Sequence, residues 1–357
     1  MKSLSLISGL LLFSACAQPT PSALVVAAES QSMIWNSVAL SDTGEVFVSG
    51  PRWTGSMGPA LAHLDKDGQP QPYPDARWNG WQPGQDAHDA FVNLNGIHRG
   101  SGDSLWAIDT GAPEFGGAPL PGGAKVVHID LKSGQVVRIY PLGSEVATPT
   151  SYVDDIRFHG SRGYLTDAGR PGLIVLDLET GSARRVLDNA TSTTGPADRP
   201  IVVDGQTVHA PDGSPLRVNT DFLEVSPDGT WLYFASLHGP WYRVERRWVD
   251  EARLSPEELE SHVEPWADLP PSGGSAMDTD GNLYFSDLAE NALKKRTPEG
   301  HIETVITDAR LHWVDSPYLA PDGWLWLPAS QIDRVALFNG GASRVERPVR
   351  LLRLRVR

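Results

Sequence analysis

Asn36, Asn95, Asp155, Asp221, Gly273 and Asp315 occupy the same place in six short repeats, each eight residues before the residue that closes a tight turn. Five of the six are Asn or Asp. Gathered at one point, such side chains would offer amide and carboxylate oxygens that can hold a cationic group, orient a polar ligand or coordinate a hard cation. The same residue types also cap strand ends and bond water, and that alternative stays open. Asn36, Asn95, Asp155, Asp221 and Asp315 are therefore the candidate ligand-binding residues. Asn95, Asp155 and Asp221 are the candidate set for Ca²⁺ or another divalent metal, the one cofactor that these residues suggest. His238 ends Ala235-Ser236-Leu237-His238 and titrates near neutrality, which makes it the candidate for proton transfer. Asp221 joins it in the catalytic assignment. Asp109, Asp167 and Asp287 end other strands just before turns, where carboxylates commonly accept from their own turn amides.

The elements that would gather these residues are strands. Asp-Thr-Gly44, Gly-Asp103, Arg-Gly163, Pro-Asp-Gly229, Thr-Asp-Gly281 and Pro-Asp-Gly323 each precede an apolar, aromatic-rich run such as Leu105-Trp106-Ala107 or Leu325-Trp326-Leu327. Such steps supply the positive φ of tight hairpins, and the runs behind them suit strands. Third strands are expected at 60–64, 126–129, 173–176 and 335–338, followed by a more polar fourth. A repeat of this kind fixes the architecture as all-β, a single six-bladed β-propeller with four-stranded blades around a central channel. The innermost strands line that channel, so the repeated Asn and Asp would ring one mouth. Two insertions break the spacing: a polar stretch between Asp188 and Asn219, expected to form a hairpin lid, and Ser255-Pro256-Glu257-Glu258, which has the signature of a capped short helix.

The 357 residues carry 44 acidic and 30 basic side chains, a formal charge of −14 that opposes binding to nucleic acid. The C-terminal arginines (Arg344, Arg347, Arg350, Arg353, Arg355 and Arg357) alternate with Val and Leu as the exposed face of a strand at the outer edge of the last blade would. At the other end, Met1-Lys2-Ser3 leads into an apolar run from Leu4 to Phe13, too short to span a bilayer. Ser14-Ala15-Cys16 then matches a bacterial lipobox. The reading is a lipoprotein signal peptide over 1–15, a lipidated Cys16 with a flexible tether over 16–32, and the propeller over 33–357. It places the protein in the bacterial cell envelope, held to the outer membrane by its lipid and facing the periplasm. The alternative is an ordinary signal peptide and a secreted protein. Cys16 is the only cysteine, so the exported domain has neither disulfide nor thiol chemistry. A monomer with a small-molecule ligand is expected.

No phosphate-binding loop, dinucleotide fingerprint, zinc-protease helix or nucleophile elbow is present. Phe47-Val48-Ser49-Gly50-Pro51-Arg52-Trp53, Pro72-Tyr73-Pro74-Asp75, Leu105-Trp106-Ala107-Ile108-Asp109-Thr110-Gly111 and Ala168-Gly169 with Gly172-Leu173-Ile174-Val175 resemble signatures of the Yellow/major royal jelly protein family. That resemblance implies a secreted six-bladed propeller with an axial ligand channel. Its members include proteins of dopachrome conversion and binders of biogenic amines, and bacterial relatives are described as dopachrome tautomerase-related. The chain departs from insect members in lacking their cysteines and in carrying the apparent lipid anchor. Phe222 to Gly229 and Ala276 to Gly281 are similar in style to the gluconolactonase/senescence-marker-like propellers. By register Asn95 and Asp221 would match that family's two metal-binding Asn, but Gly273 stands where its Asp should be and Asn36 where its Glu should be. Three functions are carried forward: a channel that binds a small aromatic or cationic molecule, with tautomerase-type isomerisation as its enzymatic form; a metal-dependent lactonase-like hydrolase; and a non-catalytic interaction scaffold.

Overall fold

The structure, a computed structural model, describes residues 23–357; the expected signal peptide and the expected lipidation site at Cys16 lie outside these residues. Six four-stranded antiparallel sheets follow one another around an axis, with one extra two-stranded hairpin in the first insertion. Their inner strands, Val38–Leu40, Leu94–Gly100, Val153–His159, Thr220–Val225, Ser275–Met277 and Tyr318–Leu319, neighbour one another in turn and enclose the channel. The core is divided among the interfaces between blades. One cluster joins Phe47, Leu61, Phe91 and Leu105 of the first two blades, and another joins Trp106, Ile108, Ile156 and Leu165 of the second and third.

The ring is closed by chain ends rather than by one continuous blade. Val25–Ser30, within the stretch expected to be a tether, is the outermost strand of the sixth blade and pairs antiparallel with Val349–Arg355. The propeller domain therefore begins before residue 33. Leu24 joins the apolar cluster between the last two blades, and Ser30 Oγ accepts from Met33 N at 2.9 Å. Of the C-terminal arginines, Arg350, Arg353 and Arg355 lie on a strand, but it is third of four and the N-terminal strand covers its edge, while Arg344, Arg347 and Arg357 lie outside it. Arg353 lies over the rings of Trp324 and Trp326. Val335–Phe338, expected as that third strand, instead forms a 3-10 turn at Ala336–Phe338. Asn339, Gly340 and Gly341 follow directly and end any strand, whereas Val349, Leu351 and Leu354 are buried between half-exposed or exposed arginines. The expected helix is present at Pro256–Glu260, with Ser255 and Glu258 forming a reciprocal capping box.

The acids that end second strands are structural. Asp109 accepts from Val92 N, Asn93 N and Gly111 N and pairs with Lys125 at 2.9 Å, both side chains being fully buried. Asp167 repeats this with Arg185, and Asp287 with Lys294. Each carboxylate ties the segment entering its own blade, or the turn leaving the second strand, to a cation on or beside the outer strands. Removing one partner of such a pair leaves an uncompensated buried charge. Lys125→Met is therefore expected to cost about 3–5 kcal/mol in denaturant unfolding, and a loss below about 1 kcal/mol would show that the pair is not a structural latch.

Candidate ligand-binding site

Three inner strands reach the channel mouth through a β-bulge. The register slips between Leu94 and Gly96, between Val153 and Ile156, and between Thr220 and Phe222. A bulge adds a residue on one strand and re-aims its side chain. The residues delivered to the mouth are Asn95, Asp154 and Asp221, with Asn36 and Asp315 beside them at the ends of the first and sixth blades.

Asp155 is not among them. Its carboxylate points down the channel to Arg157 at 2.6 Å, and Arg157 in turn makes a two-point contact with Glu224 at 3.0 Å for each bond. The third-blade hairpin turns at Gly160-Ser161, since His159 pairs with Arg162, and Gly163 sits inside a strand. Counting from Gly163 therefore overshoots by one, and Asp154 takes the mouth position expected of Asp155. The candidate metal set is divided for the same reason. Asn95 and Asp221 face the mouth while Asp155 is spent on Arg157, and among the described residues no group of three or more His, Cys, Asp or Glu is arranged to hold a metal ion. Gly273 contributes backbone only, and a Cβ there would meet Val314 O at 2.4 Å.

The mouth is a cavity of about 250 Å³ with a polar floor and aromatic walls. On the floor, Asn36 Nδ2 donates to Asn95 Oδ1 at 3.4 Å, Asn95 Nδ2 donates to Asp154, and Asp154 shares a hydrogen bond with Asp221. Tyr152 donates to Asn95 Oδ1 at 2.7 Å and accepts from Trp53 Nε1 at 2.7 Å. Among the described residues, Asp154, Asp221 and Asp315 have no cationic side chain within ion-pair distance. Burial first, then repulsion by neighbouring carboxylates, raises Asp154 and Asp315 well above the ordinary carboxyl range; burial raises Asp221 to about 8 against the lowering effect of its hydrogen bond with Asp154, with Asp315 and Asp155 adding to the rise. Near neutral pH the floor thus holds shared protons rather than three full charges.

The walls come from four separate loops. Trp53 and Phe115 stand 4.6 Å apart, Phe115 and Tyr152 5.5 Å, and Phe338 meets Phe115 edge-on at 5.8 Å. Trp53 belongs to the Pro-Arg-Trp motif, held where Arg52 N donates to Asn93 Oδ1 at 3.2 Å. Phe115 rides on the loop pinched at Gly111, where φ is +70° and a Cβ would lie 2.1 Å from Ala124 N. The Asp-x-Gly step of the second motif is thereby explained: Asp109 latches the blade and Gly111 lets the loop close. Phe338 sits on the 3-10 turn that Asn339 fastens to Asp333 O and Val335 O. The sequence reading missed these walls, although Pro51-Arg52-Trp53 was visible as a motif.

His238 lies outside the cavity lining. Nδ1 is 2.6 Å from Arg199 O and Nε2 accepts from Val218 N at 3.1 Å, so both ring nitrogens are committed to backbone. Burial holds its pKa below the ordinary imidazole value. A neutral ring bonded at both nitrogens has no proton to exchange with a ligand, and the proton-transfer role expected of it does not fit. It serves to fasten the end of the first insertion, whose Leu216, Arg217 and Val218 form one side of the cavity.

Fold and site together define a six-bladed propeller with an aromatic-walled, carboxyl-floored cavity at a channel mouth. The chain belongs to the major royal jelly protein family, whose signature it matches over residues 100–316, more than half its length. No curated protein matches the chain. In shape it is similar to a gluconolactonase from Xanthomonas campestris, with 13% identity, 94% of this chain and 89% of that chain covered and a TM-score of 0.55. It is also similar to a streptogramin B lyase, with 13% identity, 93% and 97% covered and a TM-score of 0.50, and to virginiamycin B lyase from Staphylococcus aureus, with 14% identity, 85% and 81% covered and a TM-score of 0.50. At such identities the likeness is one of fold.

Proposed function

We propose that the channel-mouth cavity binds one small aromatic molecule bearing a cationic group. The observation that carries this reading is the pairing of an aromatic box with three carboxyl groups that have no cation of their own. Faces of Trp, Tyr and Phe attract a cation, most strongly where water is excluded. Acids kept protonated by burial ionise when a cation arrives, so the site gains its partner charge only with ligand present. A cavity of about 250 Å³ limits the ligand to one ring system. The Asp154–Asp221 pair supports an enzymatic form of the same reading. A carboxyl pushed up to about 8 can both give and take a proton near neutrality, as a tautomerase-type isomerisation requires. The pair would take the role that His238 cannot fill.

The lipid anchor at Cys16 belongs to this proposal as well. With the first strand beginning at Val25, residues 17–24 would reach roughly 25–30 Å when extended, which would keep the propeller near the membrane face. A calorimetric titration of the propeller with tryptamine, cyclohexylamine and indole tests the binding reading. Tryptamine should bind at least tenfold more tightly than either comparison compound, because only it presents both an aromatic ring and a charge. Equal affinity for all three, or none for any, would defeat it.

A further inference from the structure

Arg217 is the one cationic residue among those that line the cavity, and it is exposed where the cavity adjoins a second pocket lined by Thr194, Pro196 and Tyr242. Among the described residues it has neither hydrogen bond nor ion pair, although the chain pairs most of its other arginines with acids. Its backbone, by contrast, is fastened on both sides. Leu216 is buried in the cluster of Phe222, Leu237 and Trp313, and its N–H donates to Val208 O at 2.9 Å. Val218 N–H donates to His238 Nε2 at 3.1 Å, and Asn219 Nδ2 to Gly169 O at 2.8 Å. A five-donor guanidinium with every donor free is thus carried on a rigid segment at the rim of a carboxyl-floored cavity.

We infer that the ligand is a zwitterion, an aromatic α-amino acid or a close derivative, whose ammonium group meets the Asp154, Asp221 and Asp315 floor and whose carboxylate is taken by Arg217. This rests on the proposed binding of an aromatic cation and adds the anionic end of the same molecule. Guanidinium matches carboxylate geometry with two parallel bonds, and a compound with only an amine leaves that fork unused. Arg217 also opposes a purely cationic ligand by like charge, so the cavity selects for a small molecule that carries both charges. His238 acts here as a positioning residue through Val218.

The experiment compares tryptophan with tryptamine, and tyrosine with tyramine, by calorimetry on the wild-type propeller and on Arg217→Gln and Arg217→Lys. Each wild-type amino acid should bind about tenfold or more tightly than its amine. Arg217→Gln should erase that preference by weakening the amino acids while leaving or improving the amines, and Arg217→Lys should restore part of it. Melting curves of the variants should match wild type, since Arg217 makes no contact that folding needs. If the amines bind and the amino acids bind no better, or if Arg217→Gln weakens both alike, the zwitterion inference is overturned while the aromatic-cation reading stands. If neither class binds, both fall.

Discussion

The double variant Asp221→Asn, Asp315→Asn should melt higher than wild type at pH 8, by roughly 5–10 °C, and should bind an aromatic amine at least tenfold more weakly. Both effects follow from the same burial. Asp221 is held at about 8 against an ordinary value of 3.8, and Asp315 is also raised, by burial first and by Asp154 second. Below the ordinary carboxyl value folded and unfolded chains both carry the protons, and these groups leave stability unchanged. As pH rises from there to about 8, the unfolded chain releases protons that the folded chain keeps, so stability falls across that window. The cost once Asp221 is ionised is on the order of 5 kcal/mol. Asparagine keeps the shape and hydrogen bonding but cannot ionise. The variant should therefore lose the alkaline decline while matching wild type within about 2 °C at pH 4. A variant that melts below wild type at pH 8 would show that these carboxyls are satisfied as anions by something other than a ligand.

The second large effect concerns ring closure. A chain starting at residue 31 should lose its cooperative melting transition or melt more than about 10 °C below one starting at residue 23. Val25–Ser30 supplies the last strand of the sixth blade, covering Val349–Arg355 from Arg353 to Val349. Without it, that strand becomes an open edge, available to pair with another chain. Leu24 is lost from the cluster that includes Leu325, Leu327 and Leu352. Soluble aggregates seen by light scattering would accompany the shorter chain. Two melting points within about 2 °C of each other would mean that the N-terminal strand decorates the propeller without closing it.

Turn chemistry made the propeller legible from the sequence. Asp-Gly and related steps recur before apolar runs, and the structure has six four-stranded blades in that order. Closure was not legible, because Val25-Val26-Ala27-Ala28-Glu29-Ser30 has no turn beside it and its partner lies more than 300 residues away. The floor was legible as a pattern but not to the residue. Bulges displace a side chain by one position without any change in composition, and in the third blade a strand glycine, Gly163, looked like a turn glycine. Asp154 was therefore missed in favour of its neighbour. The walls were illegible for a different reason: Trp53, Phe115, Tyr152 and Phe338 come from four loops that only closure of the ring brings together. His238 shows the opposite failure, a chemically versatile residue whose two nitrogens are both spent on backbone.

If the channel mouth takes an aromatic cation as proposed, its buried, protonated carboxyls must ionise on binding. Titrating the propeller at pH 7 with tryptamine and with tryptophan, in buffers of different ionisation enthalpy, measures the protons exchanged on binding. Release of close to one proton per ligand is expected, diminishing as pH rises above about 8 and lost in the Asp221→Asn, Asp315→Asn variant. Binding with no proton release at pH 7, or with proton uptake, would contradict it.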